Sequence, residues 1–200
     1  MSRSIRAALG GLLLVSSLMA TDLAAAGQVT QPGAATGRFD VAALFNQPGK
    51  VKLDRQFRRQ IVRFDSDEAP GTIVVVTGKK FLYLVLGDGK AMRYGIGTAR
   101  DGFEWSGTHR VSNKREWPGW TPPPEMRKRV PGLPAHMPGG IKNPLGARAL
   151  YLGSTLYRIH GTNEPWSIGQ DVSSGCIRML NQDVEDLYDR VKIGAKVIVL

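Results

Sequence analysis

Between residues 71 and 100 the apolar positions come in short, β-branched runs separated by glycine. Residues 72–77 read Thr-Ile-Val-Val-Val-Thr, residues 81–86 read Phe-Leu-Tyr-Leu-Val-Leu, and 91–96 carry a third run. Gly78-Lys79-Lys80 and Gly87-Asp88-Gly89 lie between them, and both have the composition of tight turns. Residues 108–114, 149–152 and 156–160 continue the pattern, and 196–200 closes the chain as a last strand. Short strands at this spacing predict a mainly β domain, an antiparallel sandwich or barrel. One segment changes period. Val184, Leu187, Tyr188 and Val191 fall at i, i+3, i+4 and i+7, which predicts a short helix with Asn181 as its cap and Gly194 as its stop. Asp183, Glu185 and Asp186 stand near its positive end and Arg190 and Lys192 near its negative end, as the helix dipole favours.

Other stretches carry no clear period. Residues 52–63 fit an outer strand or a short helix, with Phe57, Ile61, Val62 and Phe64 as packing residues. Between 117 and 144 lie eight of the twelve prolines, with Trp117 and Trp120. So many fixed φ angles and missing amide donors argue against regular strand or helix and predict a stiff loop. A long loop in a compact domain is usually functional, so this one is expected to border a groove as a lid. Trp120 would either line that groove or pin the loop.

The N-terminus adds a different signal. Arg3 and Arg6, a mostly apolar run over 7–19 and Ala24-Ala25-Ala26 together predict a secretory signal peptide over 1–26. The apolar run is shorter than the roughly 20 residues a membrane-spanning helix needs, so no stable span is expected after cleavage. Residues 27–49, rich in Gly, Ala, Gln and Thr, read as a tether. The predicted organisation is a signal peptide (1–26), a tether and outer segment (27–70) and one domain (71–200). With 42% hydrophobic residues, 200 residues suffice for one core of ordinary size.

Charge narrows the partners. Twenty-seven Lys and Arg against 17 Asp and Glu give a net charge of +10, which suits polyanions in general. The basic stretches over 50–63 and 127–129 lack the interleaved aromatics of a nucleic-acid module, so nucleic acid is not an expected partner. Export points instead to the cell wall or envelope.

Cys176 is the only cysteine and His160 one of three histidines. A single thiol forms no internal disulfide, and in an oxidising compartment it is a liability unless it has a use. An imidazole can take the thiol proton, leaving a nucleophile for carbonyl carbon. Such a pair predicts a thiol that still reacts below pH 7. The turn Ser173-Ser174-Gly175 before the sulfur can supply backbone N–H groups for the oxyanion that forms under attack. A backbone carbonyl near Gly161 or the Ser173 hydroxyl could orient the imidazole. On one strand over 156–160, alternation puts Arg158 and His160 on one face and Tyr157 and Ile159 on the other. The plainer reading is a buried small hydrophobe and a hydrogen-bonded strand histidine. His109 and His136 are far apart and there is one Cys, so no metal or other cofactor is expected.

His160-Gly161-Thr162-Asn163, Ile168-Gly169 and Ser173-x-Gly175-Cys176-Ile177-Arg178-Met179 followed by the helix resemble the YkuD-type L,D-transpeptidases of bacterial cell walls, over about residues 71–200. The resemblance implies that Cys176 is the nucleophile, His160 the base, and Gly175 and Ser174 part of the oxyanion turn. Many members have histidine where this chain has Ser174. Arg178, Gly161, Ser173 and Trp120 are the substrate-binding candidates. The implied reaction attacks a peptidoglycan tetrapeptide stem, releases its terminal D-Ala through a Cys thioester and passes the acyl group to an amine. That amine would belong to another stem or to an envelope protein, in the periplasm or at the cell wall. The rivals are an L,D-carboxypeptidase, with water as acceptor, and a non-catalytic peptidoglycan-binding protein.

Overall fold

The computed structural model describes residues 53–200, so the expected signal peptide and tether lie outside the described residues. The predicted runs form strands β2 (Ile73–Val76), β3 (Phe81–Gly87), β4 (Lys90–Gly95), β6 (Gly107–Glu116), β7 (Arg148–Leu152), β8 (Arg158–His160) and β11 (Lys196–Val199). Shorter strands are β1 (Gln60–Arg63), β5 (Thr98–Ala99), β9 (Asp171–Ser173) and β10 (Ile177–Arg178). Nine of these form one sheet in the order β1-β4-β3-β2-β11-β6-β7-β8-β10, and β5 pairs with β9 apart from it.

The class is mainly β, as the sequence predicts, but the sheet is mixed. Each half is an antiparallel meander built of near neighbours in sequence. β11 then inserts between them, parallel to β2 and antiparallel to β6. β10 lies parallel to β8, and β9 parallel to β5. These parallel pairs follow from long crossover connections, which strand periodicity does not reveal.

Helix α2 (Asn181–Arg190) covers β7 and β8. Its Val184 and Leu187 are buried in one core with Ile73, Leu82, Tyr94 and Val197 from one part of the sheet and Leu150, Ile159 and Ile177 from the other. Asn181 differs from expectation. It is the first residue of the helix rather than its cap, with Leu180 in the cap position. Its Oδ1 accepts instead from Ala147 N (3.0 Å) and Thr162 N (3.1 Å), tying two loops to the helix start. Gly161 and Gly146 are needed there, because a Cβ on either would sit 2.2 Å from that oxygen.

The proline-rich loop also departs from expectation by containing a helix, α1 (Pro124–Arg129). Pro122 and Pro123 stand in front of the helix and Pro124 at its first position, where no amide donor is needed, and the later prolines of the loop fall after its end. Trp120 and Met137 exchange backbone hydrogen bonds of 2.8 and 2.7 Å, and the buried Asn143 side chain donates to the Pro138 carbonyl at 2.9 Å. The loop is therefore stapled internally.

The ambiguous segment before residue 64 is both things the sequence allowed: a 3₁₀ turn at Arg55–Phe57, then edge strand β1. Phe57 lies over Gly95 and Gly169, where added Cβ atoms would come within 2.6 and 2.5 Å of it. Gly95→Ala should therefore lower stability in urea unfolding by about 1–3 kcal/mol through overpacking. An unchanged midpoint would mean that the outer segment does not seat there in solution.

Candidate active site

The site is set by the edge pair β8–β10. Ile177 registers with Ile159 and Arg178 with His160. Ile159 and Ile177 both point into the core, at 0% and 2% exposure, so alternation sends His160, Arg178 and Cys176 to the opposite face. Parallel strands about 4.8 Å apart with about 3.3 Å rise place Cys176 and His160 as diagonal neighbours, roughly 8 Å between Cα atoms. Sixteen residues of separation in sequence thus become about two positions along neighbouring strands.

His160 is buried, and its Nδ1 lies 2.5 Å from the Gly161 carbonyl. A carbonyl only accepts, so Nδ1 carries the proton and Nε2 keeps its lone pair. Of the two orienting groups the sequence left open, the structure uses the carbonyl. Ser173 serves the turn instead. Its Oγ accepts from Gly175 N at 3.2 Å and donates to the Cys176 carbonyl at 2.6 Å. Gly175 has φ +104°, and a Cβ there would stand 2.6 Å from the Tyr157 ring, so both backbone angle and space call for glycine. Ser174 is half-buried in the same turn.

Charge at the site runs against a pre-formed ion pair. Burial, then Arg178, lower the His160 pKa to about 3, with the Gly161 hydrogen bond opposing them. Burial raises the Cys176 pKa, while the Arg158 charge and backbone N–H, and then Arg178, pull it part of the way back. Both groups therefore rest neutral, and the thiol predicted to react below pH 7 is a protonated one. The sulfur faces the Leu156 carbonyl at 3.9 Å. A nucleophilic role for this sulfur would require proton transfer coupled to attack rather than preceding it.

Arg178 is not free. It pairs with Glu164 at 2.5 Å, both side chains largely buried, at 18% and 13% exposure. Glu164 was not singled out in the sequence, since an acidic residue beside a proline reads as a turn. A cavity of about 200 Å³ opens on the other side of Cys176, lined by Lys80, Thr98, Asp101, Glu104, Trp105 and Asp171 among others. Asp171 accepts from Thr98 at 2.5 Å and pairs with Lys80 at 2.9 Å, and the Thr98 and Lys80 contacts hold its carboxyl below the usual range. None of the residues 117–147 lines this cavity, so Trp120 is not brought to it. That loop reaches the site's surroundings elsewhere: Arg129 lies 5.1 Å from the Phe103 ring, and the Lys142 carbonyl accepts from Asn163 at 3.3 Å. Among the described residues no group of three or more His, Cys, Asp or Glu is placed to hold a metal.

The shifts fix the pH response. Between about 3 and the ordinary value of 6.5, folded His160 binds fewer protons than unfolded. Its contribution to stability is full above pH 6.5 and is lost as pH falls from there toward 3. Urea unfolding at stepped pH should show this decline, and His160→Gln should flatten it. Alkylation of Cys176 should climb through pH 9.0 with no plateau below pH 7, where a thiolate–imidazolium pair would give one.

Comparison with known proteins identifies the family. Residues 70–199 match YkuD, the L,D-transpeptidase catalytic domain. The chain is 41% identical over 137 residues to the probable L,D-transpeptidase ErfK/SrfK of Escherichia coli, covering 64% of this chain and 43% of that protein. It is 45% identical over 94 residues to the probable L,D-transpeptidase YbiS of the same species, covering 45% of this chain and 30% of that one. The chain thus spans less than half the length of these relatives. Among solved structures, one named a probable carnitine operon oxidoreductase caia, from Brucella melitensis, is 49% identical with a TM-score of 0.50, covering 74% of this chain and 96% of that one. The catalytic domain of an Enterococcus faecium L,D-transpeptidase shares the fold at 20% identity, TM-score 0.52, covering 68% of this chain and all of that one.

Proposed function

The chain belongs to the YkuD family of L,D-transpeptidase catalytic domains, and from that premise we propose that it is an exported enzyme that cleaves peptidoglycan tetrapeptide stems and transfers the acyl group to an amine. The observation that carries the reading is a neutral His160, its Nε2 lone pair free of the Gly161 contact, on the face of β8 to which alternation from the paired Ile177 also turns Cys176.

In this mechanism Cys176 Sγ attacks the carbonyl that precedes the terminal D-Ala, and its proton passes to His160 Nε2 as the C–S bond forms. The carbonyl oxygen becomes an oxyanion facing the Gly175–Cys176 turn, whose backbone supplies the donor. Removing such a donor costs roughly a hundredfold or more in rate. The C–N bond then breaks, D-Ala leaves as an amine carrying the proton from His160, and a thioester remains. An incoming amine attacks that thioester and gives its proton to His160. The C–S bond breaks and the sulfur regains a proton. The acceptor is an amine of a second stem or of an envelope protein.

Arg178 and Arg158 supply positive potential beside the thiol, suited to a stem carboxylate, and Arg178 would share its guanidinium between that carboxylate and Glu164. The enzyme works in the periplasm or at the cell wall, behind the signal peptide at 1–26.

Incubation of the protein with a purified disaccharide-tetrapeptide should give dimers with loss of D-Ala by mass spectrometry, and Cys176→Ala should give none. Tripeptide alone would make water the acceptor, the L,D-carboxypeptidase outcome. Equal consumption by wild type and Cys176→Ala would refute the thiol mechanism, and wall binding with no turnover by wild type would leave a peptidoglycan-binding protein.

A further inference from the structure

Trp105 lies between β5 and β6, and its indole Nε1–H donates to the Gly175 carbonyl at 2.6 Å. The indole is itself clamped. Tyr157 stacks on its face with ring centroids 4.1 Å apart and planes at 3°, and His109 meets it edge-on at 5.2 Å and 80°. Tyr157 also fills the space against Gly175 where a side chain would be. A column of three rings therefore stands under the turn that presents the thiol.

The consequence follows from peptide geometry. A trans peptide is planar, with its C=O and N–H pointing in opposite directions. Holding the Gly175 oxygen at Trp105 therefore aims the N–H of Cys176, on the same peptide, away from the indole. The flanking peptides are fixed by Ser173, which engages Gly175 N on one side and the Cys176 carbonyl on the other. A hydrogen bond accepted by the carbonyl also polarises the peptide and strengthens its N–H as a donor.

We propose that Trp105 is a positioning residue for acyl transfer: by holding the Gly175 carbonyl it orients the Cys176 N–H as the donor to the oxyanion formed at the attacked carbonyl. The inference rests on the thiol mechanism above. A role in oxyanion stabilisation differs from a role in packing because it affects only reactions that make an oxyanion. Alkylation by iodoacetamide makes none: sulfur displaces iodide at a saturated carbon, a C–S bond forms, a C–I bond breaks and iodide leaves.

The test measures two rates on the same preparations. One is acyl-enzyme formation with a disaccharide-tetrapeptide, by intact-protein mass spectrometry in single turnover, and the other is alkylation of Cys176 by iodoacetamide. Trp105→Phe keeps a ring on Tyr157 and removes the N–H. Site-specific replacement of Trp105 by 3-benzothienylalanine changes little but the N–H, and serves if the phenylalanine variant does not fold. The expected result is acylation slowed at least about tenfold, with alkylation within about twofold of wild type. Equal slowing of both rates would make Trp105 a packing residue and overturn the proposal, as would unchanged acylation. A wild type that alkylates but forms no acyl-enzyme would overturn the thiol mechanism itself, a failure visible before any variant is compared.

Discussion

The parallel pairing of β8 with β10 is the constraint on which the rest depends. A two-residue strand contributes little ladder energy, so it is held by what lies on its two sides. On one side Ile177 and Ile159 are sealed in the core. At its ends Gly97 and Arg178 exchange backbone hydrogen bonds of 2.9 Å, and Met179 N reaches the His160 carbonyl at 2.8 Å. A slip of one residue would turn Cys176 into the core and expose Ile177, exchanging a polar pair for a buried apolar one. The same burial that fixes the fold therefore fixes the geometry between sulfur and imidazole.

That burial has an electrostatic cost the site keeps. Removing His160 from water, with two arginines nearby, makes it a poor base at rest, and burial makes Cys176 a poor acid despite those arginines. A neutral thiol is less open to oxidation than a thiolate, which on the proposed reading suits an exported protein with a single cysteine. Reactivity then has to come from contacts made when a carbonyl is in place, which is where a fixed backbone donor has its effect. Rigid positioning of the turn by Ser173, Trp105 and Tyr157 fits that demand better than a strongly activated sulfur would.

Much of this was legible in the chain. β2, β3, β4, β7 and β11 appear as apolar runs because each is buried along a sheet, and α2 shows because its inward face repeats at helical spacing. The thiol, the histidine and the glycine turn stood out by residue type alone. Three things could not be read. β5, β9 and β10 are two or three residues long, too short for any period to register. Parallel pairing depends on crossovers that local pattern does not encode. The roles of Asn181, Trp105 and Glu164 are contacts across 34, 70 and 14 residues, made by side chains whose types suggest a cap, a loop anchor and a turn. The proline-rich loop misled for a related reason: prolines ahead of a helix look the same as prolines that forbid one.

The Arg178–Glu164 pair links binding to basicity. Arg178 is the strongest charge acting to lower the His160 pKa, after burial. Glu164 lies 2.5 Å from the Arg178 guanidinium and pairs with it. On the proposed reading, a stem carboxylate seated against Arg178 would offset part of its charge, and seating the stem would also bring the oxyanion's own negative charge near the imidazole during attack. Both changes favour the protonated imidazole, and both occur only when substrate is present. A base too weak in the empty site thus gains strength in the step that needs it, because the positive charges that depress it are the ones a carboxylate-bearing stem would neutralise.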